Sequence, residues 1–239
     1  MAQFSRRDFL KAGSAGIAGV ALSSLGLGSI LGTDTAGAAE SVKTVVPVET
    51  FVYVCPVCGE KAADFDALVS HFQTSHPEQA LPAGITLNIN NREYPVFVED
   101  QWTLRETIQR AIGLGGGAKE MCDRGGCGSC TVLIDGRPAL ACTTLAVECV
   151  GKKIETSEGI AADPAYRPLV EAYVRNDTSQ CGYCTPGMLT VAKYILTKYP
   201  EPTEEQIRLE MSGNICRCGT YKRHVKAIQE AAAAMKGGN

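Results

Sequence analysis

The sequence predicts an α+β fold in two cysteine-rich parts, preceded by a small cysteine–histidine module. Residues 84–157 alternate apolar and polar side chains with the period of strands, whereas residues 158–236 show the apolar spacing and capping signals of helices. The third observation is composition. Eleven cysteines stand against three histidines, and an odd number of thiols cannot all pair as disulfides.

The strand-rich part begins with a predicted hairpin. Apolar side chains alternate over 85–89 and again over 94–98, with the polar pair Asn90-Asn91 between them as the turn. Thr103 and Glu106 then form a capping box, which predicts the start of a helix that ends at Gly113. Three further strands are predicted at 130–134, 137–142 and 153–156, the first two joined by an Asp135-Gly136 turn.

The second part is predicted to be helical after Glu158. Four apolar stripes predict four helices. Prolines mark plausible first turns, because proline lacks only an N–H that a helix start leaves unbonded. The prolines and the residues expected to cap beside them are Pro164 with Asp163, Pro186 with Thr185, and Pro202 with Thr203.

The first 38 residues predict an export signal. SRRDFLK, Ser5 to Lys11, precedes an apolar run that glycines and serines interrupt, and Ala36 to Ala38 offer a cleavage site. The segment resembles a twin-arginine signal, which exports proteins already folded and loaded with cofactors. The predicted destination is the periplasm, with a linker at 39–50 and no transmembrane helix in the mature chain. An uncleaved anchor is the alternative, although the glycines make this run a poor membrane span.

Charge excludes one class of partner. The formal net charge is −3, and the signal segment carries three basic against two acidic residues, so the mature chain is at −4. No basic block remains in it, and nucleic acid is therefore not an expected partner.

Four thiols in the strand-rich part have the spacing of iron ligands. Cys122, Cys127, Cys130 and Cys142 give C-x4-C-x2-C-x11-C, which matches plant-type ferredoxins in its first three members. Glycines within CDRGGCGSC let backbone N–H groups approach the sulfurs of an anionic cluster. A zinc ribbon would show two C-x2-C knuckles, and a disulfide framework would not need the glycines. The pattern predicts a 2Fe–2S cluster over these alternatives.

A second set of four thiols lies in the helical part. Cys181 and Cys184 with Cys216 and Cys218 give C-x2-C-x31-C-x-C. A C-x2-C alone would also fit a thioredoxin-like pair or half of a zinc site. Here each half stands just before a predicted helix, so two helix N-termini would direct unbonded N–H groups at one anionic cluster. We predict a second cluster at this site.

Residues 51–80 form a zinc-finger-like module. Cys55, Cys58, His71 and His76 give C-x2-C-x12-H-x4-H, which is the ligand spacing of a C2H2 finger. A structural zinc would replace the core that about thirty residues cannot build. The alternative is a disulfide between the two cysteines, formed after export. The module is acidic, so we do not expect it to bind nucleic acid.

The segments CDRGGCGSC, QCGYCTPGM and SGNICRC, with Cys142, resemble in sequence and order the small iron–sulfur subunit of the molybdenum hydroxylases, the group of xanthine dehydrogenase, aldehyde oxidoreductase and carbon monoxide dehydrogenase. The resemblance implies a β-grasp ferredoxin domain at 84–157 and a four-helix cluster-binding domain at 158–236. It also implies a molybdopterin in a separate large subunit, which Gln180 would contact. Two features depart from the family pattern: the added module, and the order Gly219-Thr220 where many members have Thr-Gly.

The function that the resemblance implies is electron relay. Electrons from the molybdopterin subunit would reach a flavin subunit or a c-type cytochrome through the two clusters, and substrate chemistry would belong to the partner. The alternatives are a free-standing periplasmic electron carrier and a zinc-dependent scaffold protein. Outside the ligand sets, Cys149 and Trp102 are expected in packing and His224 on the surface of the last helix.

Overall fold

The computed structural model describes residues 53–55, 57–78 and 83–236, all within one compact unit, Val48–Asn239. The predicted signal and linker lie outside the described residues. Within the described ranges, no helix is both long enough and apolar enough to cross a membrane.

The cysteine–histidine module is a two-stranded ribbon followed by a helix. Its elements are β1 (Tyr53–Val54), β2 (Lys61–Ala62) and α1 (Phe65–Ser75). The helix begins at Asp64, whose carboxylate accepts the N–H of Ala67 at 2.7 Å. Leu68 and Phe72 form its buried face and pack with Cys55 and with Phe97 from the neighbouring sheet. The module therefore shares its small core with the next part of the chain.

The strand-rich part is a five-stranded mixed sheet. Its strands are β3 (Ala83–Ile89), β4 (Arg92–Val98), β5 (Thr131–Ile134), β6 (Arg137–Leu140) and β7 (Lys153–Glu155), in the order β4-β3-β7-β5-β6. Only the central pair, β3 with β7, is parallel. Both predicted hairpin turns are present, with positive φ at Asn90 (54°) and Asn91 (61°), and at Asp135 (49°) and Gly136 (77°).

One helix covers this sheet. The capping box of Thr103 and Glu106 is present and starts α2 (Leu104–Glu106), which continues as a π-helical turn over Thr107–Ala111. Leu104 and Ile108 are fully buried against the sheet, and Trp102 and Cys149 belong to the same core, as predicted. The ordering of strands and helix leaves the loop at 122–130 at one end of the sheet, beside β5.

The rest of the described chain is helical. Its helices are α3 (Ser157–Ala162), α4 (Arg167–Arg175), α5 (Thr185–Lys198), α6 (Glu204–Glu210) and α7 (Tyr221–Lys236). They enclose a core of their own around Met188, Ile195 and Ile228. The molecule is thus mixed α+β, with a sheet and several helices.

Two sequence predictions in this part are wrong. The helical count is five rather than four, because α3 is a six-residue helix too short to show an apolar stripe. Thr185 is not a cap but the first residue of α5, and Cys184 occupies the cap position without a side-chain hydrogen bond to the helix. By contrast, Thr203 caps α6 as predicted, in a capping box with Gln206.

Candidate metal centres

The first cysteine set is assembled by a loop and a hairpin. Strands β5 and β6 pair so that Thr131 faces Leu140, which brings Cys130 and Cys142, each adjoining this hairpin, together. The thiol of Cys122 interacts with that of Cys127, and the thiol of Cys130 with that of Cys142. The four predicted ligands are therefore gathered at one place, as two pairs.

Backbone N–H groups of the loop are directed at these sulfurs. Gly125 donates to Cys142 Sγ and Gly126 to Cys122 Sγ, each at 3.3 Å, while Ser129 donates to Cys127 Sγ at 3.5 Å. Donation by backbone N–H groups, that of Arg124 first, lowers the pKa of Cys122 to about 7. Gly125 has a φ of +75°, a conformation that lets the loop curl without the strain of a side chain.

Burial acts in the opposite direction on the inner thiols of this set. It raises the pKa of Cys130 to about 12, because the thiolate would lose its hydration there. A thiolate at Cys130 therefore needs a compensating positive charge close by, which a metal ion supplies.

The second cysteine set joins two loops that are distant in sequence. Cys184 stands at the start of α5, and Cys216 and Cys218 stand in the loop before α7. The thiols again form two pairs, Cys181 with Cys218 and Cys184 with Cys216. Burial opposes ionisation of Cys216, yet hydrogen bonds from the hydroxyl and backbone N–H of Thr220, from the Cys184 thiol and from the Cys218 N–H together lower the pKa of this thiol to about 7.

Two pairs of thiols are the arrangement that a 2Fe–2S cluster needs. Each of its irons takes two of the four protein ligands, whereas a single tetrahedral zinc would draw all four sulfurs around one point. Both cysteine sets provide only thiols, and both are supplied with N–H donors to sulfur. The residues present therefore fit one such cluster in each set.

In the module, the four candidate ligand atoms are arranged as around one metal ion. The ligand atoms of Cys55, Cys58, His71 and His76 all lie within 4.8 Å of one another, as around a single ion. Nε2 of His71 is 3.2 Å from Cys58 Sγ. Nε2 of His76 is buried and has no hydrogen-bond partner among the described residues. The two cysteines are free thiols. This donor set fits a tetrahedral zinc.

The other ring nitrogen of His71, Nδ1, also has polar neighbours. Its Nδ1 lies 3.5 Å from Glu60 Oε2 and 3.3 Å from Ser75 Oγ. A ligating imidazole usually has such a partner on its other nitrogen, which fixes the ring and leaves Nε2 for the metal.

The two cluster loops contact each other directly. The backbone N–H of Ile215 donates to the carbonyl of Cys127 at 2.8 Å, and Asn214 Nδ2 donates to the carbonyl of Gly128 at 2.9 Å. On the other half of the second set, Lys119 Nζ donates to the carbonyl of Gly182 at 3.2 Å, and the Tyr183 hydroxyl donates to that of Glu120. A ligand of the first set is thus one hydrogen bond from the neighbour of a ligand of the second.

Gln180 lies beside Cys181 at the surface, and both residues are exposed. Large apolar side chains are exposed near the same set, namely Tyr183, Ile215 and Tyr221. These exposed residues lie in, or directly after, the two loops that carry the second cysteine set.

Sequence reasoning missed two residues of this centre. Thr220 Oγ1 lies 3.1 Å from Cys216 Sγ, and His224 Nε2 lies 3.1 Å from the same oxygen. The prediction that His224 is a surface residue is wrong, because the residue is fully buried, with its ring against Tyr173. The four-residue spacing from Cys216 to Thr220 to His224 is the signal that could have found this contact.

Comparison with known families finds three matches along the chain. Residues 67–178 match a 2Fe-2S iron-sulfur cluster binding domain, and residues 156–229 match a [2Fe-2S] binding domain. Residues 3–23 match a twin-arginine translocation pathway signal sequence, which points to export. Cys55 and Cys58 precede both cluster-domain matches.

Individual relatives cover the same region. The aldehyde oxidoreductase iron-sulfur-binding subunit PaoA of Escherichia coli K12 is 40% identical over 167 residues, covering 64% of this chain and 72% of the relative. The nicotinate dehydrogenase small FeS subunit of Eubacterium barkeri is 39% identical over 147 residues, covering 62% and 93%. The crystal structure of quinoline 2-oxidoreductase from Pseudomonas putida 86 aligns with a TM-score of 0.62 at 38% identity, covering 66% of this chain and 99% of the other.

Proposed function

The chain belongs to the small iron–sulfur subunits of the molybdenum hydroxylases, and from this membership we propose that it is the electron-transfer subunit of a periplasmic complex. It receives electrons from a molybdopterin site in a large partner protein and delivers them to a flavin subunit or a c-type cytochrome. The relatives named above are oxidoreductase subunits. In the proposed complex, the chemistry on the substrate belongs to the partner.

The observation that carries this proposal is the hydrogen bond from Ile215 to Cys127, which joins the two cysteine loops at 2.8 Å. When bound, the two 2Fe–2S clusters supply one-electron carriers, and the proposed order runs from the Cys181/Cys184/Cys216/Cys218 set to the Cys122/Cys127/Cys130/Cys142 set. The N–H groups directed at sulfur, such as those of Gly125 and Gly126, stabilise negative charge on the ligands and so help to set the potentials.

The face around Gln180 supports contact between the second set and the large subunit. Gln180 and Cys181 are both exposed, so a cofactor held by a partner can reach them. We propose that the Gln180 side chain binds the pterin there. The exposed rings of Tyr183 and Tyr221 supply the apolar area that a stable interface buries.

At the level of domains, we propose that residues 84–157 form a β-grasp ferredoxin domain and residues 158–236 a helical cluster-binding domain related to a four-helix bundle, α3 being an addition to it. The mixed sheet with α2 across it supports the first assignment. The shared core of α4, α5 and α7 supports the second.

The module at 51–80 is proposed to hold one structural zinc through Cys55, Cys58, His71 and His76. The cluster of ligand atoms within 4.8 Å and the unpartnered His76 Nε2 support it. The zinc would stabilise a module that has few buried side chains of its own. Loading of all three sites before export by the twin-arginine route, followed by residence in the periplasm behind a signal at 1–38 and a linker at 39–50, completes the proposal.

Metal content with EPR tests the proposal. Protein purified from the periplasm of its own host should contain about four irons per chain, at two per cluster, and about one zinc. Reduction with dithionite should give two distinct 2Fe–2S signals. About two irons and one signal would show that one cysteine set holds no cluster, and the relay would fail with it.

Size-exclusion chromatography of the native protein separates the bound form from a free carrier. We expect co-elution with a much larger chain that contains molybdenum. Elution of an iron-containing protein at the size of the single mature chain would favour the free-standing carrier.

A further inference from the structure

The second cysteine set has a polar side-chain contact that continues into the protein interior. Cys216 Sγ, Thr220 Oγ1 and His224 Nε2 lie in sequence at 3.1 Å and 3.1 Å, and all three residues are buried. They are spaced four residues apart in sequence: Cys216 lies in the loop, Thr220 lies just before α7, and His224 lies in its first turn. His224 Nδ1 is buried without a hydrogen-bond partner among the described residues.

The directions of these hydrogen bonds follow from proton counting. A cluster ligand is a thiolate and can only accept, so the single proton of the Thr220 hydroxyl is donated to Cys216 Sγ. Thr220 Oγ1 then accepts from His224, which must carry its proton on Nε2. Burial lowers the pKa of His224 to about 4, so the ring is neutral near pH 7 and Nδ1 is an acceptor.

His224 borders a cavity of about 290 Å³, together with Asn214 and the exposed residues Ile215 and Tyr221. Its Nδ1 is itself buried. The contacts therefore run from the ligand sulfur, through two side chains, to a cavity that borders on the protein surface.

From these contacts we propose that Thr220 and His224 are positioning residues that raise the reduction potential of the second cluster. The inference rests on the proposed function, because it takes Cys216 as a cluster ligand. Reduction adds negative charge to the sulfurs, and a hydrogen bond to sulfur stabilises the reduced state more than the oxidised one. His224 strengthens this bond by donating to the hydroxyl that makes it, as in any hydrogen-bonded chain.

The same contacts give a physical reason for the Gly219-Thr220 order. Gly219 has a φ of +75°, which glycine adopts without strain, and the next position then carries the hydroxyl that reaches the sulfur. With Thr-Gly in its place, position 220 would have no side chain to donate. The departure from the common family pattern therefore adds one hydrogen bond to the second cluster.

Potentiometric EPR titration of the complete complex tests the proposal, using Thr220→Val and Thr220→Ser. The valine variant should shift the one-electron equilibrium of the second cluster about tenfold towards the oxidised state. This shift corresponds to a reduction potential lower by about 59 mV. The serine variant should restore it. The first cluster is an internal reference and should not move. Thr190→Val is the matched control, since it removes a buried hydroxyl in the same domain that bonds only to the carbonyl of Pro186.

Two variants of His224 test the hydrogen bond from His224 to Thr220. They also keep the proposal testable if the Thr220→Val variant does not fold. His224→Leu should lower the same potential by a smaller amount, and His224→Gln should restore it, because an amide N–H can donate from a similar position. A purely structural residue would change thermal stability without moving the potential of one cluster alone.

The outcomes separate this inference from the function on which it rests. Wild-type protein with fewer than two cluster signals would overturn both. Two normal signals, with the potential of the second cluster unchanged in Thr220→Val and in His224→Leu, would overturn the positioning role and leave electron relay intact.

Discussion

At the scale of single residues, Cys142 and Cys149 show how position decides the role of a buried thiol. Both are buried and only seven positions apart. Cys142 faces Cys130 and accepts an N–H from Gly125. Cys149 contacts no other thiol of the described chain and donates to the carbonyl of Leu145, while burial raises its pKa. Burial alone therefore does not identify a ligand, but contact with a second thiol does.

This contrast gives a matched pair of variants. Cys142→Ala should remove one EPR signal and about two irons per chain, because the first set loses a ligand. Cys149→Ala should keep both signals and all the iron, and should cost about 1 kcal/mol of stability through the small cavity it leaves. Iron analysis with EPR and thermal melting measures both. Loss of a signal in Cys149→Ala would contradict the ligand assignment.

The module offers a second test at this scale. His76→Asn removes the buried Nε2 from the proposed zinc ligands, so zinc content should fall from about one per chain to nearly zero while iron stays unchanged. Gln73→Ala, at an exposed position of α1, is the control and should retain zinc. Full zinc occupancy in the His76 variant would rule out this ligand set.

At the scale of elements, the first turn of α5 is a point of close approach between the helices and the loop beside the sheet. A Cβ on Gly187 would stand 2.2 Å from the carbonyl oxygen of Gly128, and one on Gly128 would stand 2.6 Å from that of Gly213. Both contacts involve backbone, which cannot swing aside as a side chain does. These glycines let the two cluster loops meet.

Replacing Gly187 by alanine should lower stability, contrary to the general rule for helices. Alanine in a helix is normally more stable than glycine by about 1 kcal/mol. Gly187→Ala should nevertheless destabilise the protein by about 1–3 kcal/mol, since the loops must separate to admit the methyl group. Gly115→Ala is the control, because nothing lies within 4 Å of its added Cβ. Equal melting temperatures for the two variants would show that the loops are not packed as described.

A pH-dependent contact joins α4 to α7. The Glu230 carboxylate accepts from Asn176 Nδ2 at 2.5 Å and from Arg175 Nε at 2.7 Å, and these two donors lower its pKa. A depressed pKa contributes stability that is fully present above the ordinary carboxyl pKa of 4.5 and is lost as the pH falls from there through the lowered pKa of the folded state. The group is partly exposed, so solvent screening keeps the effect small.

We therefore expect Glu230→Gln to melt about 1–2 °C below wild type at pH 7 and by a smaller margin at pH 3.5. The comparison is made by differential scanning calorimetry at both pH values. A difference that grew as the pH fell would contradict the sign of this contribution.

Local elements were the part of the fold that the sequence could predict. The turns at Asn90-Asn91 and Asp135-Gly136 and the capping boxes at Thr103 and Thr203 depend on neighbours within a few positions, and all are present. Helix α3 was missed because its six residues are too few to show an apolar stripe, and its Gly159 is explained only by a contact with a distant segment. A Cβ on Gly159 would lie 2.1 Å from Asn90 Oδ1, a contact across 69 positions.

At the scale of the whole molecule, the three candidate ligand sets occupy one compact unit, and the contacts between its parts are what sequence patterns could not reveal. The ligand spacings indicated which cysteines belong together, because each short spacing (C-x4-C, C-x2-C or C-x-C) lies within one loop. The burial of His224, the approach of Gly187 to Gly128 and the packing of the module on Phe97 depend on segments far apart in the chain. Such contacts need the folded structure.

The export route gives a prediction for the complete protein. Replacing both Arg6 and Arg7 by lysine should leave the iron–sulfur protein in the cytoplasm, with its iron content unchanged, because the clusters are loaded before export. Lys11→Gln, outside the arginine pair, is the control and should still reach the periplasm. Cell fractionation followed by iron analysis measures both. Normal export of the double variant would contradict the twin-arginine assignment.

The packing of the module on Phe97 bears on the tendency of the protein to aggregate. Strand β4 is at the edge of the sheet, and its Phe97 ring packs 4.8 Å from that of Phe65, over the bare backbone of Gly84. If zinc loss unfolds the module, this aromatic surface is uncovered beside an unpaired strand edge, which is a template for aggregation. Zinc scarcity would then first appear as turbidity in a protein that is still fully coloured, with both iron sites intact.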